Sequence, residues 1–270
     1  MKWGLVCKPG EKKTVNLAKV VYNFLQNNGD VFVEKKLAEI LEIRGYSTKE
    51  INKQAEIIVT IGGDGTILMA LEEIEKPVFA INSGGMGFLT EEKSRHAIEG
   101  LKKVLKGEYN VEERAKLKVT LDKKRLPDAA NEITVQTARI AKILSFRVFV
   151  DDELMETLKA DGIIIATPTG STSYALSTGG PILDPLVRAV VVTPLAPFKL
   201  SARPWVVPYD KKICIRLLSK SKESKLVIDG HHVYSITPKN IVCATVSEKK
   251  ARFIRFGESF YQSVRLKLVR

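Results

Sequence analysis

The chain has 270 residues, enough to bury one large core or two moderate ones, and 44% of them are hydrophobic, an ordinary fraction for a globular protein. Lys and Arg outnumber Asp and Glu by 43 to 31, a formal net charge of +12, which suits anionic partners such as nucleic acid, membrane surfaces or phosphorylated small molecules. No apolar run is long enough to span a bilayer and Met1-Lys2-Trp3 leads straight into a strand, so a membrane protein and a secretory leader are excluded as expectations and a cytoplasmic location is expected.

Cys7, Cys214 and Cys243 lie far apart. Buried thiols in a reducing compartment are expected, because their count and spacing fit neither a disulfide scaffold nor a zinc site. The lysines are scattered in pairs (Lys35-Lys36, Lys123-Lys124, Lys211-Lys212, Lys249-Lys250) and form no continuous stripe, so solvated surface is the expected role for most of them.

In chain order, Lys2–Cys7 reads as a strand. Thr14–Asn27 has helical spacing, with Gly29 as a stop. Val31–Glu34 is a short strand, Lys36–Arg44 a helix, Ile57–Ile61 a strand, Ile67–Glu73 a helix and Val78–Ile81 a strand. Strands interleaved with helices at this spacing imply a parallel sheet covered by helices, with ligands beyond the carboxyl ends of the strands. Gly62–Gly65 and Gly84–Gly87 both fall at such ends.

After a helix over Ser94–Leu105 the pattern changes to short apolar runs: Leu117–Leu121, Glu132–Val135, Leu144–Val150, Leu154–Leu158, Ile163–Thr167, Val190–Thr193, Ile213–Leu218, Leu226–Ile228, Val233–Ile236, Ile241–Val246 and Arg252–Arg255. Asp151-Asp152 and Asp229-Gly230 read as hairpin turns. The predicted fold is an α/β N-terminal domain with a parallel sheet, followed by an all-β, sandwich-like C-terminal domain. Phe260–Leu268 reads as a terminal helix.

Three stretches carry chemistry. Gly62-Gly63-Asp64-Gly65-Thr66 sits at a strand-to-helix turn. Glycines there expose backbone N–H groups, and the helix start adds partial positive charge, a setting for phosphate. A carboxylate in such a loop repels phosphate unless it holds Mg²⁺ or takes a proton from an attacking hydroxyl, both of which belong to phosphoryl transfer. The bland alternative is a tight turn. No G-x-x-x-x-G-K-[ST] and no G-x-G-x-x-G at the first strand–helix unit occurs, so the site is neither a Walker-type nor an ordinary dinucleotide loop. The second stretch is Asn131-Glu132, an amide and a carboxylate at the start of a strand, which a polar strand edge also explains. The third runs from Asp161 through Thr167, Thr169, Ser171, Thr172, Ser173 and Tyr174, a crowd of hydroxyls suited to a polar, flat ligand on which Tyr174 stacks.

Together these stretches resemble the NAD kinase family over nearly the whole chain: Gly62–Thr66, Asn82 to Leu89, Asn131-Glu132, Asp161-Gly162 and Thr167–Tyr174 follow its pattern, as do Leu200–Pro204 and Val227–Gly230. The first motif is shared with lipid kinases and phosphofructokinases; its combination with the Thr-Pro-Thr block is specific. The resemblance implies a domain over 1–92 carrying Asp64, completed by about 256–270, and a β-rich, NAD-binding domain over 93–255. It implies transfer of the γ-phosphate of ATP to the adenosine ribose 2′-hydroxyl of NAD, with Mg²⁺ or another divalent metal as cofactor and inorganic polyphosphate left open as a donor.

It assigns Asp64 as proton acceptor and possible metal partner, and Gly62, Gly63, Gly65 and Thr66 to phosphate. Asn131 and Glu132 hold the adenosine part, Asp161 the nicotinamide carboxamide, and Thr172, Ser173, Tyr174, Ala175, Leu176 and Ser177 line the dinucleotide site, with Lys142, Lys159 and His231 nearby. Ala130, Ser173 and Thr178 depart from commoner family residues, and Gly85-Met86 replaces a polar-Leu pair. A homodimer or homotetramer is implied, with no nucleic acid or membrane partner. Two rivals are a lipid or sugar kinase, which leaves the Thr-Pro-Thr block unexplained, and a basic dinucleotide- or nucleic-acid-binding module, which leaves Asp64 unexplained and lacks an RNP pattern. His231-His232 is a poor metal pair, because adjacent strand residues face opposite ways.

Overall fold

A computed structural model describes the chain except residues 9, 11, 85–86, 219–222, 258 and 269–270. The Gly85-Met86 departure therefore lies outside the described residues. The chain divides into two units, Met1–Glu113 with Ala251–Arg270, and Arg114–Lys250.

In the first unit the strands are β1 (Lys2–Cys7), β2 (Asp30–Glu34), β3 (Gly45–Tyr46), β4 (Ile57–Gly62), β5 (Val78–Asn82) and β6 (Glu92–Lys93). They pair in parallel in the order β3-β2-β1-β4-β5-β6. Between them run α1 (Lys12–Gln26), α2 (Lys35–Leu41), α3 (Thr48–Gln54), α4 (Asp64–Leu71) and α5 (Ala97–Lys106). α1 buries Thr14, Ala18, Val21 and Leu25, the three-and-four spacing of one helical face. That face and the Leu101 and Val104 side of α5 join Trp3, Leu5, Val59 and Phe79 in one core. Ile51 of α3 reaches Gly4, where a Cβ would lie 2.4 Å from its Cγ2. Helix α3 escaped the sequence reading, although Ser47 and Glu50 form a capping box that announces it.

In the second unit the strands are β7 (Asn110–Leu121), whose first residues belong to the first unit, β8 (Lys124–Arg125), β9 (Glu132–Thr137), β10 (Leu144–Val150), β11 (Glu153–Ala166), β12 (Ala189–Pro197), β13 (Trp205–Pro208), β14 (Ile213–Leu217), β15 (Ser224–Ile228) and β16 (His232–Ile236), with the short helix α6 (Tyr174–Ser177). β17 (Ile241–Arg255) passes from this unit back to the first, where Phe253 pairs with Val78, and α7 (Phe260–Leu268) follows.

Two runs predicted as separate strands, Leu154–Leu158 and Ile163–Thr167, are one strand, β11. Its first half pairs with β10 and its second half with β9 and β12, so a single strand changes partners along its length. Gly162 permits this: a Cβ there would lie 2.3 Å from the Val135 carbonyl. Asp151 and Asp152 both take positive φ in the two-residue turn joining β10 to β11. The enclosed core includes Phe146, Val148, Ile163, Ile165, Val190, Ile215 and Leu226.

The expectation of three buried thiols is corrected. Cys214 and Cys243 stand opposite each other on antiparallel β14 and β17, with Cα atoms 4.1 Å apart, and form a disulfide; Cys7 alone is a free, buried cysteine. Spacing could not show this, because a sequence separation of 29 becomes a contact only once β14 and β17 pair.

Candidate functional site

In the first unit a candidate site is built at the carboxyl ends of adjacent β4 and β5, where Gly62 pairs with Asn82. Gly62 has φ +156°, and a Cβ there would lie 2.4 Å from Thr66 Oγ1. The chain needs this glycine to turn directly from β4 into α4. Cβ atoms at Gly63 and Gly65 would meet nothing within 4 Å, so the loop's outer side is open. Open backbone at a helix start is what an anionic phosphate approaches.

Asp64, half-buried at the first position of α4, is aimed by the neighbouring loop. Its Oδ2 accepts from the Phe88 N–H at 2.7 Å and its Oδ1 from the Leu89 N–H at 3.1 Å. A Cβ on Gly87 would lie 2.4 Å from Asp64 Oδ1, so only glycine allows this approach. The Asn82 side chain shapes the same loop by accepting from the Gly84 N–H at 2.9 Å. Behind it, Arg255 Nη1 donates to the Leu89 carbonyl at 3.2 Å and to Glu91 Oε2 at 2.9 Å, and Glu91 Oε1 accepts from the Phe256 N–H. Lys267 of α7 donates to the Gly87 carbonyl and lies over the Phe88 ring. These braces from the end of the chain were not legible, since nothing local to Arg255 or Lys267 marks them.

In the second unit a separate candidate site is a corner where β9 begins beside the end of β11. Glu132 is opposite Ala166, and the Thr167 N–H donates to the Asn131 carbonyl. Thr167 Oγ1 donates to the Ala130 carbonyl at 2.7 Å and accepts from the Gly170 N–H at 3.0 Å. Gly170 passes so near that a Cβ would lie 2.1 Å from the Asn131 carbonyl oxygen. From the turn after β15, Asp229 accepts the N–H groups of Ala130, Asn131 and Glu132 at 2.7, 2.8 and 3.0 Å. Ser173 Oγ lies 3.5 Å from Glu132 Oε1. Asn131 Oδ1 and Glu132 Oε2 are buried with no hydrogen-bond partner. Burial, and then the Asp229 charge, push the Glu132 carboxyl up to about 8.

The hydroxyl-rich segment is more structural than its composition implies. Ser171 Oγ donates to the Pro168 carbonyl at 2.6 Å and accepts from the Leu183 N–H at 3.0 Å; Thr172 Oγ1 donates to Thr169 and Thr178 Oγ1 to Ala175. These groups close the turn themselves. Ala175 of α6 packs into a small core with Ile164, Ala166 and Val191. Tyr174 is 39% exposed and Ser177 also faces outward, while Leu176 is half-buried.

Lys159 and Asp161 share one face of β11 at alternate positions. Lys142 is exposed on the loop between β9 and β10, away from any strand. His231 is exposed, and its Nδ1 lies 2.8 Å from the Asp229 carbonyl. Asp229 was readable as a turn residue and as part of the Val227–Gly230 stretch that follows the family pattern, with no role attached. Asp-Gly at positive φ gives the hairpin away, but not the three N–H groups it collects about a hundred residues earlier in the chain.

Two family models match: the ATP-NAD kinase N-terminal domain over residues 3–109 and the ATP-NAD kinase C-terminal domain over 130–256. Among curated proteins, an NAD kinase of Methanothermobacter thermautotrophicus is 44% identical, covering 100% of this chain and 96% of its own, and one of Thermococcus kodakarensis is 39% identical over 99% of each. Among solved structures, an NAD kinase from Archaeoglobus fulgidus in complex with ATP is 28% identical with TM-score 0.81, covering 98% of this chain and 99% of its own. A yeast NADH kinase complexed with NADH shares the fold at TM-score 0.90 and 24% identity, over 100% of this chain and 87% of its own.

Proposed function

This chain belongs to the ATP-NAD kinase family and phosphorylates NAD with ATP; within that reaction we propose that Asp64 accepts the proton of the adenosine ribose 2′-hydroxyl as that oxygen attacks the γ-phosphorus. The new ribose O–P bond forms as the bond to the β–γ bridging oxygen breaks, releasing ADP and leaving NADP. The observation that carries this role is the aim of Asp64: two backbone N–H groups fix its carboxylate on an open glycine loop, yet each oxygen keeps a lone pair free for a proton or a cation.

The same lone pairs fit a hard divalent cation, which commonly takes one carboxylate together with phosphate oxygens, so Asp64 would hold Mg²⁺ alongside the triphosphate. When bound, the cation neutralises charge on the transferring and leaving phosphates. Gly62 shapes the loop, the open backbone of Gly63 and Gly65 receives phosphate, and buried Thr66, whose N–H donates to the Gly63 carbonyl, completes the phosphate loop. Asn131 and Glu132 meet the adenosine, supported by their unpaired buried oxygens. Asp161 meets the nicotinamide carboxamide, exposed Tyr174 stacks on the ligand, and Thr172, Ser173, Ala175, Leu176, Ser177, Lys142, Lys159 and His231 complete its surroundings. Inorganic polyphosphate as an alternative donor belongs to the same proposal.

A homodimer or homotetramer assembled through the β-rich unit is favoured by exposed Phe198, Leu200, Trp205 and Val206, the last two on β13. Sedimentation tests it, and a monomer at micromolar concentration would refute it. No helix among the described residues is long and apolar enough to cross a membrane; a cytoplasmic location, where ATP and NAD meet, is part of the proposal. Incubation with NAD, Mg²⁺ and either ATP or polyphosphate, followed by product analysis, tests the reaction. Absence of NADP from well-folded protein with every donor would overturn it.

A further inference from the structure

The Asn131-Glu132 corner is held from both sides. Asp229 Oδ1 takes the N–H groups of Asn131 and Glu132, its Oδ2 takes that of Ala130, and Thr167 grips the Ala130 and Asn131 carbonyls from the β11 side. So fixed, Asn131 and Glu132 are each 7% exposed and present Oδ1 and Oε2 without a partner. Native proteins rarely leave two adjacent buried polar atoms unpaired, and an ordered water, an ion or a bound ligand supplies the partner.

Two buried carboxyls so close do not both ionise readily. Burial raises Asp229 on balance, and its three N–H donors, and then His231 in the same turn, oppose that rise and favour its charged form. N–H groups that can only donate require an acceptor. Among the described residues Glu132 receives only the Ser173 hydroxyl, which donates to Oε1 at 3.5 Å and opposes the rise that burial, and then the Asp229 charge, produce. The donor geometry therefore favours the proton on Glu132, whose carboxyl is pushed up to about 8 by burial and then by the Asp229 charge.

We propose that Asp229 is a positioning residue of the nucleotide site, fixing the corner through three N–H groups so that Glu132 offers a neutral carboxylic acid, a hydrogen-bond donor, to an acceptor atom of the bound nucleoside. This rests on the assignment of the corner to the adenosine part of NAD. The chemical class of acceptor is a purine ring nitrogen or a ribose oxygen. A carboxylate cannot donate to a ring nitrogen, whereas a carboxylic acid can.

The test is the affinity of the full chain for NAD alone, measured by calorimetry from pH 6.5 to 9, a range in which NAD itself does not titrate. Wild-type Kd should rise about tenfold once pH stands one unit above the Glu132 value. Glu132→Gln keeps an N–H donor that does not titrate, so its Kd should change less than about threefold over the same range. Asp229→Asn removes the like charge, so the pH at which affinity is lost should move down by about one unit. A merely structural Asp229 would lower the melting temperature and leave that pH in place. A flat wild-type profile, an alkaline loss that survives in Glu132→Gln, or an unmoved midpoint in Asp229→Asn overturns the proposal. If Asp229→Asn does not fold, the other two profiles still decide the role of Glu132. NADP formation from ATP and NAD separates the two readings: activity with a flat profile refutes only the donor role, and no activity refutes the kinase reading.

Discussion

The sequence singled out Asp64 because a carboxylate among glycines at a strand-to-helix turn suits phosphate chemistry, with a tight turn as the alternative. What the sequence lacked was the cause of its aim, the N–H groups of Phe88 and Leu89 on a loop across the sheet edge. Asn at position 64 keeps one acceptor oxygen and the size of the side chain while removing basicity. Asp64→Asn should bind NAD nearly normally and turn over at least about a hundredfold more slowly, as loss of a general base predicts. Normal turnover with a lowered melting temperature would reduce Asp64 to a turn residue. The hydroxyls of 167–178 teach the opposite lesson: composition pointed to a ligand, yet Ser171 and Thr178 bond within the turn. Tyr174, left exposed, keeps a ring face available for the stacking proposed above. Tyr174→Ala should weaken NAD binding by about 0.5–1.5 kcal/mol, the usual worth of an aromatic pair, with an unchanged melting temperature. Unaltered affinity by calorimetry would remove the stacking role.

At the scale of elements, the strands β1, β2, β4 and β5 and their parallel pairing could be read from alternating helix and strand signals, though their order in the sheet could not. β11 could not, since Asp161-Gly162 interrupts the run at the point where the strand changes partners. Likewise β17 was seen as two fragments, although its far end supplies the support of the Asp64 loop. Arg255 and Glu91 are 13% and 5% exposed in their side chains, so this is a nearly buried pair. Removing one member strands the other, which typically costs ~3–5 kcal/mol. Arg255→Met should therefore lower stability by about that order, moderated by the Phe256 N–H that still serves Glu91. It also takes the donor from the Leu89 carbonyl and so loosens the loop that aims Asp64. The expected signature is a fall in kcat larger than any change in KM for NAD at a temperature where the variant is folded. A lower melting temperature with full kcat would confine Arg255 to stability.

For the molecule as a whole, the units differ in what holds them together. The first relies on helices packed on a parallel sheet, and the second carries a disulfide between β14 and β17. These strands already pair through Ile213↔Ala244 and Arg216↔Ile241, so the crosslink adds little to native contacts and acts mainly by restricting the unfolded chain. For a closed loop of this length the chain-entropy account gives about 3–4 kcal/mol. Replacing Cys214 and Cys243 together by Ser should lower the melting temperature of the second unit by about 10 °C. The corner at Asn131-Glu132 is built from β9, β11 and the turn after β15, none of which contains these cysteines, and Asp64 lies in the other unit. Turnover at 25 °C should accordingly stay within about twofold of wild type while the unfolded state alone gains freedom. Calorimetry of wild type with and without reductant makes the same comparison without mutation. Identical melting temperatures under the two conditions, with free thiol counted at three per chain in both, would restore the buried thiols expected from the sequence and remove the crosslink from the account of stability.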